Sequence, residues 1–351
     1  MLEDKSQELT PISKFGEFGL IKHLTENFPV VQTSTKVSIG DDAAVIDSEN
    51  QKVIVSTDML AEGVHFNLGY VPLKHLGYKA VVVNLSDIAA MNATPTQILV
   101  SVAVSNRFPV EALEEIYAGI ALACNRYKVD LIGGDTTSSN AGLVISVTAI
   151  GLENEEKIIK RNGAKPNDLL VVTGDLGGAY LGLQILEREH SVYLANPNMQ
   201  PEMEGYDYIL ERQLKPEART DIKKKLEELD ILPTSMIDVS DGLASEILHL
   251  SDQSKVGFNV YEEKLPMDES TIHTADELNL NPAMAALNGG EDYELLFTIA
   301  PSDFDKIKNH PDFTIIGHAT EEAQGSFLVA RGSNQLIPFT AQGWDAFLNK
   351  E

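Results

Sequence analysis

Six short acidic motifs recur along the chain, and most of them follow a segment with strand character. Most combine a carboxylate with a neighbouring glycine or hydroxyl side chain: Gly40-Asp41-Asp42-Ala43, Ser56-Thr57-Asp58, Asn84-Leu85-Ser86-Asp87, Gly133-Gly134-Asp135-Thr136, Asp238-Val239-Ser240-Asp241-Gly242 and Gly289-Gly290-Glu291-Asp292. A single Asp after a strand is usually a turn former or a helix cap. The recurrence favours a shared site, because convergent carboxylates repel one another unless a divalent cation such as Mg²⁺ or Ca²⁺ neutralises them.

The glycines beside these acids favour an anion as the second ligand. Glycine lets the backbone approach a ligand closely, and successive N–H groups in such turns form anion-binding nests. Mg²⁺ commonly bridges one or two carboxylates to substrate phosphates. The chain has no P-loop, no protein-kinase motif set and no dinucleotide-binding glycine motif. The residues therefore indicate phosphoryl transfer or phosphate-ester hydrolysis at a site of another kind.

The charge balance excludes two classes of partner. Lys and Arg total 27 against 53 Asp and Glu, so the formal net charge is −26 and the pI is about 4.6. Phosphate backbones and anionic lipid headgroups select basic surfaces, so we expect neither a nucleic-acid nor a membrane partner. The acidic excess is either solvated surface charge or, in part, a set of metal ligands.

Cysteine usage and the first residues bear on the compartment. Cys124 is the single cysteine and cannot form an intrachain disulfide, and the first ten residues lack the basic and apolar runs of an export signal. We therefore expect a cytoplasmic protein in which Cys124 is an inert buried thiol.

Alternating strands and helices must position the motifs. A chain of 351 residues predicts about two domains. In the first half, the apolar pattern predicts helices over 73–93 and Val110–Tyr127, although the run Val81-Val82-Val83 also suits a strand. Strands are predicted over 37–39, 43–46, 52–56, 96–105, 129–132 and 142–151.

The second half repeats this mixture after a charged stretch over 153–168. The pattern predicts strands over Leu169–Thr173, 235–239 and 293–300, helices over 178–188 and 242–250, and a surface loop over 190–206. We infer an α/β or α+β chain of two domains, 1–152 and 153–351.

Taken together and in this order, the motifs resemble those of the thiamine-monophosphate kinase family, in the superfamily that contains aminoimidazole ribonucleotide synthetase. The resemblance covers roughly residues 13 to 347. Besides the acidic motifs, it rests on Gly63-Val64-His65-Phe66, Lys79-Ala80, Arg161-Asn162-Gly163-Ala164-Lys165-Pro166, Val172-Thr173-Gly174 and Tyr293-Glu294-Leu295. It implies the fold of that superfamily: a mixed-sheet N-terminal domain that forms a barrel in a homodimer, and a C-terminal α/β domain.

The resemblance also implies a reaction and its cofactors. The γ-phosphoryl group of ATP would pass directly to the phosphate of thiamine monophosphate, giving thiamine diphosphate and ADP in the last step of thiamine diphosphate biosynthesis. The acceptor phosphate is already largely a dianion, so no residue is needed as a catalytic acid or base. The family implies several Mg²⁺ ions and ATP as co-substrate, and it leaves a role for K⁺ open.

The family's motifs match specific positions in this sequence. The resemblance implies metal contacts at Asp42, Ser56, Thr57, Asp58, Asp87, Asp135, Asp238 and Asp241. It implies ATP contacts at Tyr117, Gly134, Asp135, Arg161 and Ser240, and thiamine phosphate contacts at His65, Glu291 and Trp344. Nine carboxylates lie in the motifs, Asp41 and Asp292 among them, and most of the nine are expected to contact metal or substrate.

Several of these residues have a plainer interpretation. Arg161 could be a solvated arginine, and His65 could cap a turn or bind metal. Trp344 could seal the C-terminal core, or it could stack on the cationic thiazolium ring with Glu291 as the opposite charge. The turn 174–178 could bind phosphate at a helix N-terminus, although tight packing is favoured.

Two other functions remain open at this point. One is another ATP-using synthetase of the same superfamily; a selenophosphate synthetase would require a reactive Cys or selenocysteine, and residues 1–36 contain no Cys. The other is a non-catalytic dimer that binds divalent metal.

Overall fold

The computed structural model describes residues 9–39, 43–140 and 142–340. The chain divides into two compact units, the first formed by Met1–Asn84 and Pro95–Leu152 and the second by Leu85–Thr94 and Glu153–Glu351. Two of the predicted site residues, Asp42 and Trp344, lie outside the described residues.

The first unit contains helices and a four-stranded sheet. Its elements and those shared with the second unit are α1 (Gly16–Thr25), β1 (Thr35–Val37), β2 (Val45–Ile46), β3 (Lys52–Ala61), α2 (Leu73–Ala90), β4 (Thr94–Val104), α3 (Val110–Tyr127), β5 (Asp130–Ser138) and β6 (Val144–Glu153). The sheet order is β3-β6-β4-β5, with β4 parallel to β5, and β1 pairs separately with β2.

The run Val81-Val82-Val83 is helical, as predicted, although its three consecutive apolar residues depart from a helical stripe. All three valines are buried. A helix that is enclosed on every side needs no polar face, so the amphipathic period fades there.

Two glycines allow α2 and α3 to pack closely. A Cβ atom on Gly77 would lie 1.9 Å from the carbonyl oxygen of Ile116, and one on Gly119 would lie 1.9 Å from the carbonyl oxygen of Lys74. Neither backbone can yield without separating the helices, so each position requires glycine in this packing.

We expect Gly119→Ala to lower the free energy of unfolding by about 1–3 kcal/mol, because overpacking forces backbone shifts in a close-packed core. Thermal unfolding of the purified variant measures this. Gly63→Ala is a matched control at an open position, since nothing lies within 4 Å of its Cβ, although its positive φ adds strain of its own. A Gly119→Ala protein as stable as the wild type would contradict the close approach.

The second unit is a seven-stranded sheet with helices. Its further elements are β7 (Leu169–Thr173), α4 (Gly178–Ala195), α5 (Asp207–Leu214), α6 (Asp221–Glu228), β8 (Ser235–Asp238), α7 (Leu243–Ser254), β9 (Val256–Tyr261), α8 (Glu269–Glu277), α9 (Pro282–Asn288), β10 (Leu295–Ile299), α10 (Phe304–Ile307), β11 (Phe313–Glu321), β12 (Phe327–Val329) and β13 (Leu336–Pro338). The order is β13-β12-β9-β11-β7-β10-β8, and the pairings are antiparallel except for β9 with β12.

The core of this unit forms two clusters through alternation along the strands. Leu170 and Val172 of β7 belong to one cluster with residues of α7 and α9. Val171 belongs to the other, with residues of α6 and with Ala89 and Ala90 from the end of α2. Successive strand residues point to opposite faces, so both faces of this sheet are covered.

Several boundaries differ from the prediction because tertiary contacts extend the elements. Helix α4 continues to Ala195, so only the later part of 190–206 is non-helical. Glu189 is buried in that extension and accepts hydrogen bonds from the Glu202 backbone N–H (2.8 Å) and the Arg188 Nε (2.8 Å), which stabilises the polar segment. In the described part of the chain, none of the helices has the length and apolar character that a membrane span requires.

Candidate functional site

The motif Ser56-Thr57-Asp58 lies wholly within β3, because the strand extends to Ala61 and not only to the predicted end at Ser56. The Thr57 hydroxyl donates to the Val147 carbonyl (3.1 Å) and accepts from Thr148 Oγ1 (3.0 Å). The Asp58 backbone N–H donates to the buried Asn84 side chain (2.8 Å). The motif therefore has a fixed backbone, and the side chains of Thr57 and Asp58 are exposed.

His65 caps the turn that follows β3. The Ala61 backbone N–H donates to His65 Nδ1 (3.1 Å), which requires Nδ1 to be the unprotonated nitrogen of the ring. The ring is exposed. His65 therefore caps the turn through Nδ1, as the plainer interpretation held. A contact of the other ring nitrogen, Nε2, with the substrate stays a prediction.

Gly134 and Asp135 lie inside β5, where a turn was predicted. Gly134 pairs with Val100 of β4, and a Cβ at this position would lie 1.8 Å from the Val100 carbonyl oxygen. The parallel partner strand therefore determines this conformation, and the side chain of Asp135 is exposed. Tyr117 of α3 is buried with its ring edge-on to Phe28 at 6.3 Å between centroids, so its nucleotide contact stays a prediction.

A cluster of acidic residues in the second unit lies where α2 contacts the end of β8. Asp238, the last residue of β8, is buried, and Ser86 of α2 donates to its Oδ2 (2.7 Å). Burial and, after it, the neighbouring negative charge of Asp87 together raise the pKa of Asp238 to about 7. The buried Asp238 carboxylate and the half-buried Asp87, which lie on different elements, are therefore close enough for their charges to interact.

Asp241 and Glu246 extend this acidic group around the start of α7. The Asp241 backbone N–H donates to Glu246 Oε1 (3.2 Å). Burial and, after it, the charge of Asp238 together raise the pKa of Glu246 to about 8, and burial also raises the pKa of Asp241. Gly242 turns the chain at φ +103, where a Cβ would lie 2.9 Å from the Leu287 carbonyl oxygen.

The loop that carries Glu291 is bonded through its backbone to the loop that carries Ser240. The Glu291 N–H donates to the Ser240 carbonyl (2.7 Å) and the Tyr293 N–H to the Val239 carbonyl (2.9 Å). Gly290 approaches so closely that a Cβ would lie 2.7 Å from the Ser240 carbonyl oxygen. The predicted nucleotide contact and the predicted substrate contact are thereby placed side by side.

Arg161 is exposed, yet its segment is anchored near the same group. The Met236 N–H donates to the Lys160 carbonyl (3.0 Å), and the Ser254 hydroxyl donates to the Arg161 carbonyl (2.9 Å). The Arg161 charge lowers the pKa of Asp238, which is otherwise raised by burial. An arginine held at an acidic group suits phosphate recognition better than an unconstrained surface arginine does.

The described residues contain no preformed metal site made of protein ligands alone. Across 9–39, 43–140 and 142–340, no three His, Cys, Asp or Glu side chains are arranged to hold one. The pair Asp87 and Asp238 nevertheless fits Mg²⁺, which needs only one or two carboxylates when water and substrate phosphates complete its coordination.

The chain is similar in sequence to proteins of known family. The family model of the AIR synthase related protein N-terminal domain matches residues 40–152, and that of the C-terminal domain matches 165–330. A thiamine-monophosphate kinase of Bacillus subtilis (strain 168) is 34% identical over 328 residues, covering 92% of this chain and 96% of the relative. The chain belongs to the thiamine-monophosphate kinase family.

Solved structures of the thiamine-monophosphate kinase family agree with this. AaThiL complexed with AMPPCP and TMP is 31% identical, with a TM-score of 0.72 over 95% of this chain and 97% of that chain. The thiamine-monophosphate kinase from Stenotrophomonas maltophilia K279a is 28% identical, with a TM-score of 0.75 over 90% of this chain and 95% of that chain. The predicted family and its two-domain α/β fold are confirmed, whereas the dimer barrel stays a prediction.

Asp292 is an exception among the nine motif carboxylates, most of which are expected to contact metal or substrate. It is buried and accepts a hydrogen bond from the Gly177 N–H (2.8 Å) at the start of α4. Its carboxylate also lies 3.6 Å from Arg212 Nη2. The start of α4 is thus occupied by Asp292, and tight packing, not phosphate binding, describes the turn 174–178.

Sequence reasoning missed the arginines that balance this motif. Arg212 Nη1 donates to Glu294 Oε1 (3.1 Å), and Arg219 Nη1 donates to Glu294 Oε2 (2.5 Å). Thr173 Oγ1 also donates to Glu294 Oε2 (2.6 Å). Both arginines lie in a segment that contains no recognisable motif. The only sign of them in the sequence is that Asp292 and Glu294, if buried, would each need a positively charged partner.

The buried acids predict a falling stability with rising pH in metal-free protein. Burial raises the pKa values of Asp238 and Asp292 to about 7 and that of Glu246 to about 8. Unfolded carboxyls titrate at about 4, so between about pH 4 and 8 the folded state binds more protons than the unfolded state. The thermal midpoint should therefore fall between pH 5.5 and 8, and Glu246→Gln should flatten the slope. A midpoint that rises over this range would contradict the assignment.

Proposed function

We propose that the chain transfers the γ-phosphoryl group of ATP to the phosphate of thiamine monophosphate, forming thiamine diphosphate and ADP. The observation that carries the proposal is the likeness, over 95% of the chain, to a protein solved with AMPPCP and TMP. Membership of the thiamine-monophosphate kinase family gives the same activity.

The acceptor in this reaction is itself a phosphate oxygen, largely ionised at neutral pH, so the chain needs no general base. Its task is to bring two polyanions together and to hold them in line. We assign Arg161 and Ser240 to the phosphates of ATP, with Gly134, Asp135 and Tyr117 as further nucleotide contacts. We assign Glu291, His65 and Trp344 to thiamine monophosphate.

We propose Asp87 and Asp238 as Mg²⁺ ligands of the second unit. Two adjacent carboxylates in a poorly solvated place repel each other, and a cation relieves that repulsion. The chemistry that Mg²⁺ supplies when bound is neutralisation of phosphate charge. Further proposed metal residues are Asp42, Ser56, Thr57, Asp58, Asp135 and Asp241, and a role for K⁺ remains open.

The first unit supports a homodimer. Strand β3 is an edge of its sheet, and Val53, Val55 and Met59 on it are 52%, 59% and 57% exposed. An exposed apolar edge strand invites pairing with another strand, so a second copy of the chain is the proposed cover. A cytoplasmic location stays a prediction, as does the absence of nucleic-acid and membrane partners that the charge of −26 favours.

Steady-state turnover tests the proposed function. The protein is incubated with ATP, Mg²⁺ and thiamine monophosphate, ADP is followed by a coupled assay, and thiamine diphosphate is identified by mass spectrometry. We expect ADP and thiamine diphosphate in equal amounts, and no ADP above background with unphosphorylated thiamine. Binding of ATP without turnover would favour the non-catalytic dimer, and ADP release with another acceptor would favour a different synthetase.

A further inference from the structure

The last turn of α5 contacts the Glu291 loop through two neighbouring side chains. Gln213 Nε2 donates to Glu291 Oε2 (2.8 Å), and Arg212 Nη2 donates to the Asp292 carbonyl (3.2 Å). Gln213 is only 5% exposed. A buried amide donor aimed at a half-buried carboxylate orients that carboxylate, because both groups would lose a hydrogen bond if the pair separated.

The backbone of this loop is held in an uncommon conformation. Glu291 and Tyr293 both have positive φ, +58° and +53°, although neither is glycine. Such residues cost free energy and persist where the surroundings determine them, often at ligand sites. Backbone hydrogen bonds to Ser240 and Val239 fix the chain at Glu291, and Gln213 adds a contact to its side chain.

Helix α5 is itself located by close packing on α4. A Cβ at Gly182 of α4 would lie 2.1 Å from the Ile209 carbonyl oxygen and 2.9 Å from Gln213 Cβ. The glycine lets α5 sit directly on α4, which leaves little freedom in the position of Gln213.

The hydrogen-bond donor to Glu291 is a neutral amide, although a charged arginine lies one residue earlier. Arg212, one residue earlier, pairs with the buried carboxylates of Asp292 and Glu294. Gln213 is uncharged, so its hydrogen bond orients the Glu291 carboxylate without adding a positive charge to it. A neutral donor does not compete with a cationic ligand for the charge of the carboxylate.

We propose that Gln213 is a positioning residue that holds the Glu291 carboxylate in the orientation that binds the cationic ring of thiamine monophosphate. This inference rests on the proposed function, and it adds the means by which one face of the substrate site is fixed.

Gln213→Met tests the inference, because methionine keeps the length and volume of the side chain and removes the amide donor. We expect the KM for thiamine monophosphate to rise about 10-fold, as for the loss of a hydrogen bond to a charged group, while the KM for ATP and kcat stay within about 2-fold. Calorimetric titration with thiamine monophosphate in the absence of ATP should show the same weakening. Gln253→Met, on an exposed residue of α7, is the matched control.

A double-mutant cycle with Glu291→Gln shows whether Gln213 acts through Glu291. If it does, Gln213→Met adds little to Glu291→Gln, and the two effects are strongly non-additive. Additive losses, or equal losses of ATP and thiamine monophosphate affinity, would overturn the inference.

Gln213→Glu is the second variant, to be used if the methionine variant folds poorly. It places a negative charge beside Glu291, and unchanged affinity for thiamine monophosphate in that variant would also overturn the inference. Absence of turnover in the wild type would instead overturn the proposed function.

Discussion

Asp87→Asn is expected to lower turnover of thiamine monophosphate by about 100-fold or more, the usual scale for losing one electrostatic contact to a reacting centre. The substitution keeps the size of the side chain and removes one of the two charges proposed to hold Mg²⁺. Titration of kcat against Mg²⁺ should show a higher metal requirement, with incomplete recovery at saturation.

The stability of the Asp87→Asn protein separates a metal ligand from a structural residue. Removal of the Asp87 charge relieves its repulsion of Asp238, so the pKa of Asp238 falls and the metal-free thermal midpoint at pH 8 should be unchanged or higher. Asp252→Asn, at an exposed residue of α7, controls for the loss of one surface charge. A lower midpoint together with an unchanged Mg²⁺ requirement would assign Asp87 a structural role.

Arg212→Met is expected to lower the free energy of unfolding by about 3–5 kcal/mol, the cost of leaving buried charges without their partner. The Arg212 side chain is 14% exposed and contacts the buried carboxylates of Asp292 and Glu294. Methionine fills much of the same space, so the loss measures charge compensation more than packing.

Urea denaturation at pH 8 measures the Arg212→Met effect, because Asp292, whose pKa burial raises to about 7 even beside Arg212, is largely ionised there in the wild type, and loss of Arg212 raises that pKa further. The deficit should shrink toward pH 5.5, where protonation of Asp292 removes part of the uncompensated charge. Arg331→Met, at an exposed position, is the matched control. A loss below about 1 kcal/mol would show that the pairing adds little, as many surface pairs do.

Local pattern was sufficient to predict some elements and insufficient for others. Helix α3 and strand β7 have the predicted limits, because each carries a regular apolar pattern between clear ends. The strand conformation of Gly133-Gly134-Asp135 was missed, because the partner β4 determines it and glycine has no strand preference of its own. Distant partners of this kind leave no signal in a local window.

The same limit applies within the candidate site. Glu291 and Asp292 are adjacent and chemically alike, yet one contacts Gln213 and the other the start of α4. A left-handed backbone at Glu291 helps to send the two side chains to different places, and sequence alone does not predict that conformation for glutamate. The contact between Ser86 and Asp238 spans 152 residues, and only the recurrence of acidic motifs and the family resemblance linked the two motifs.

The loop that carries Ser240 and the loop that carries Glu291 are joined by main-chain atoms. The bonds from Glu291 to Ser240, from Tyr293 to Val239 and from Val239 to Glu294 continue the β8–β10 pairing beyond the strand ends. No side-chain substitution at these positions, other than proline, removes such a bond. A substitution at position 291, the proposed acceptor contact, would therefore leave its spacing from position 240, the proposed nucleotide contact, undisturbed. With these assignments, acceptor preference can diverge in evolution while the nucleotide contacts stay in place.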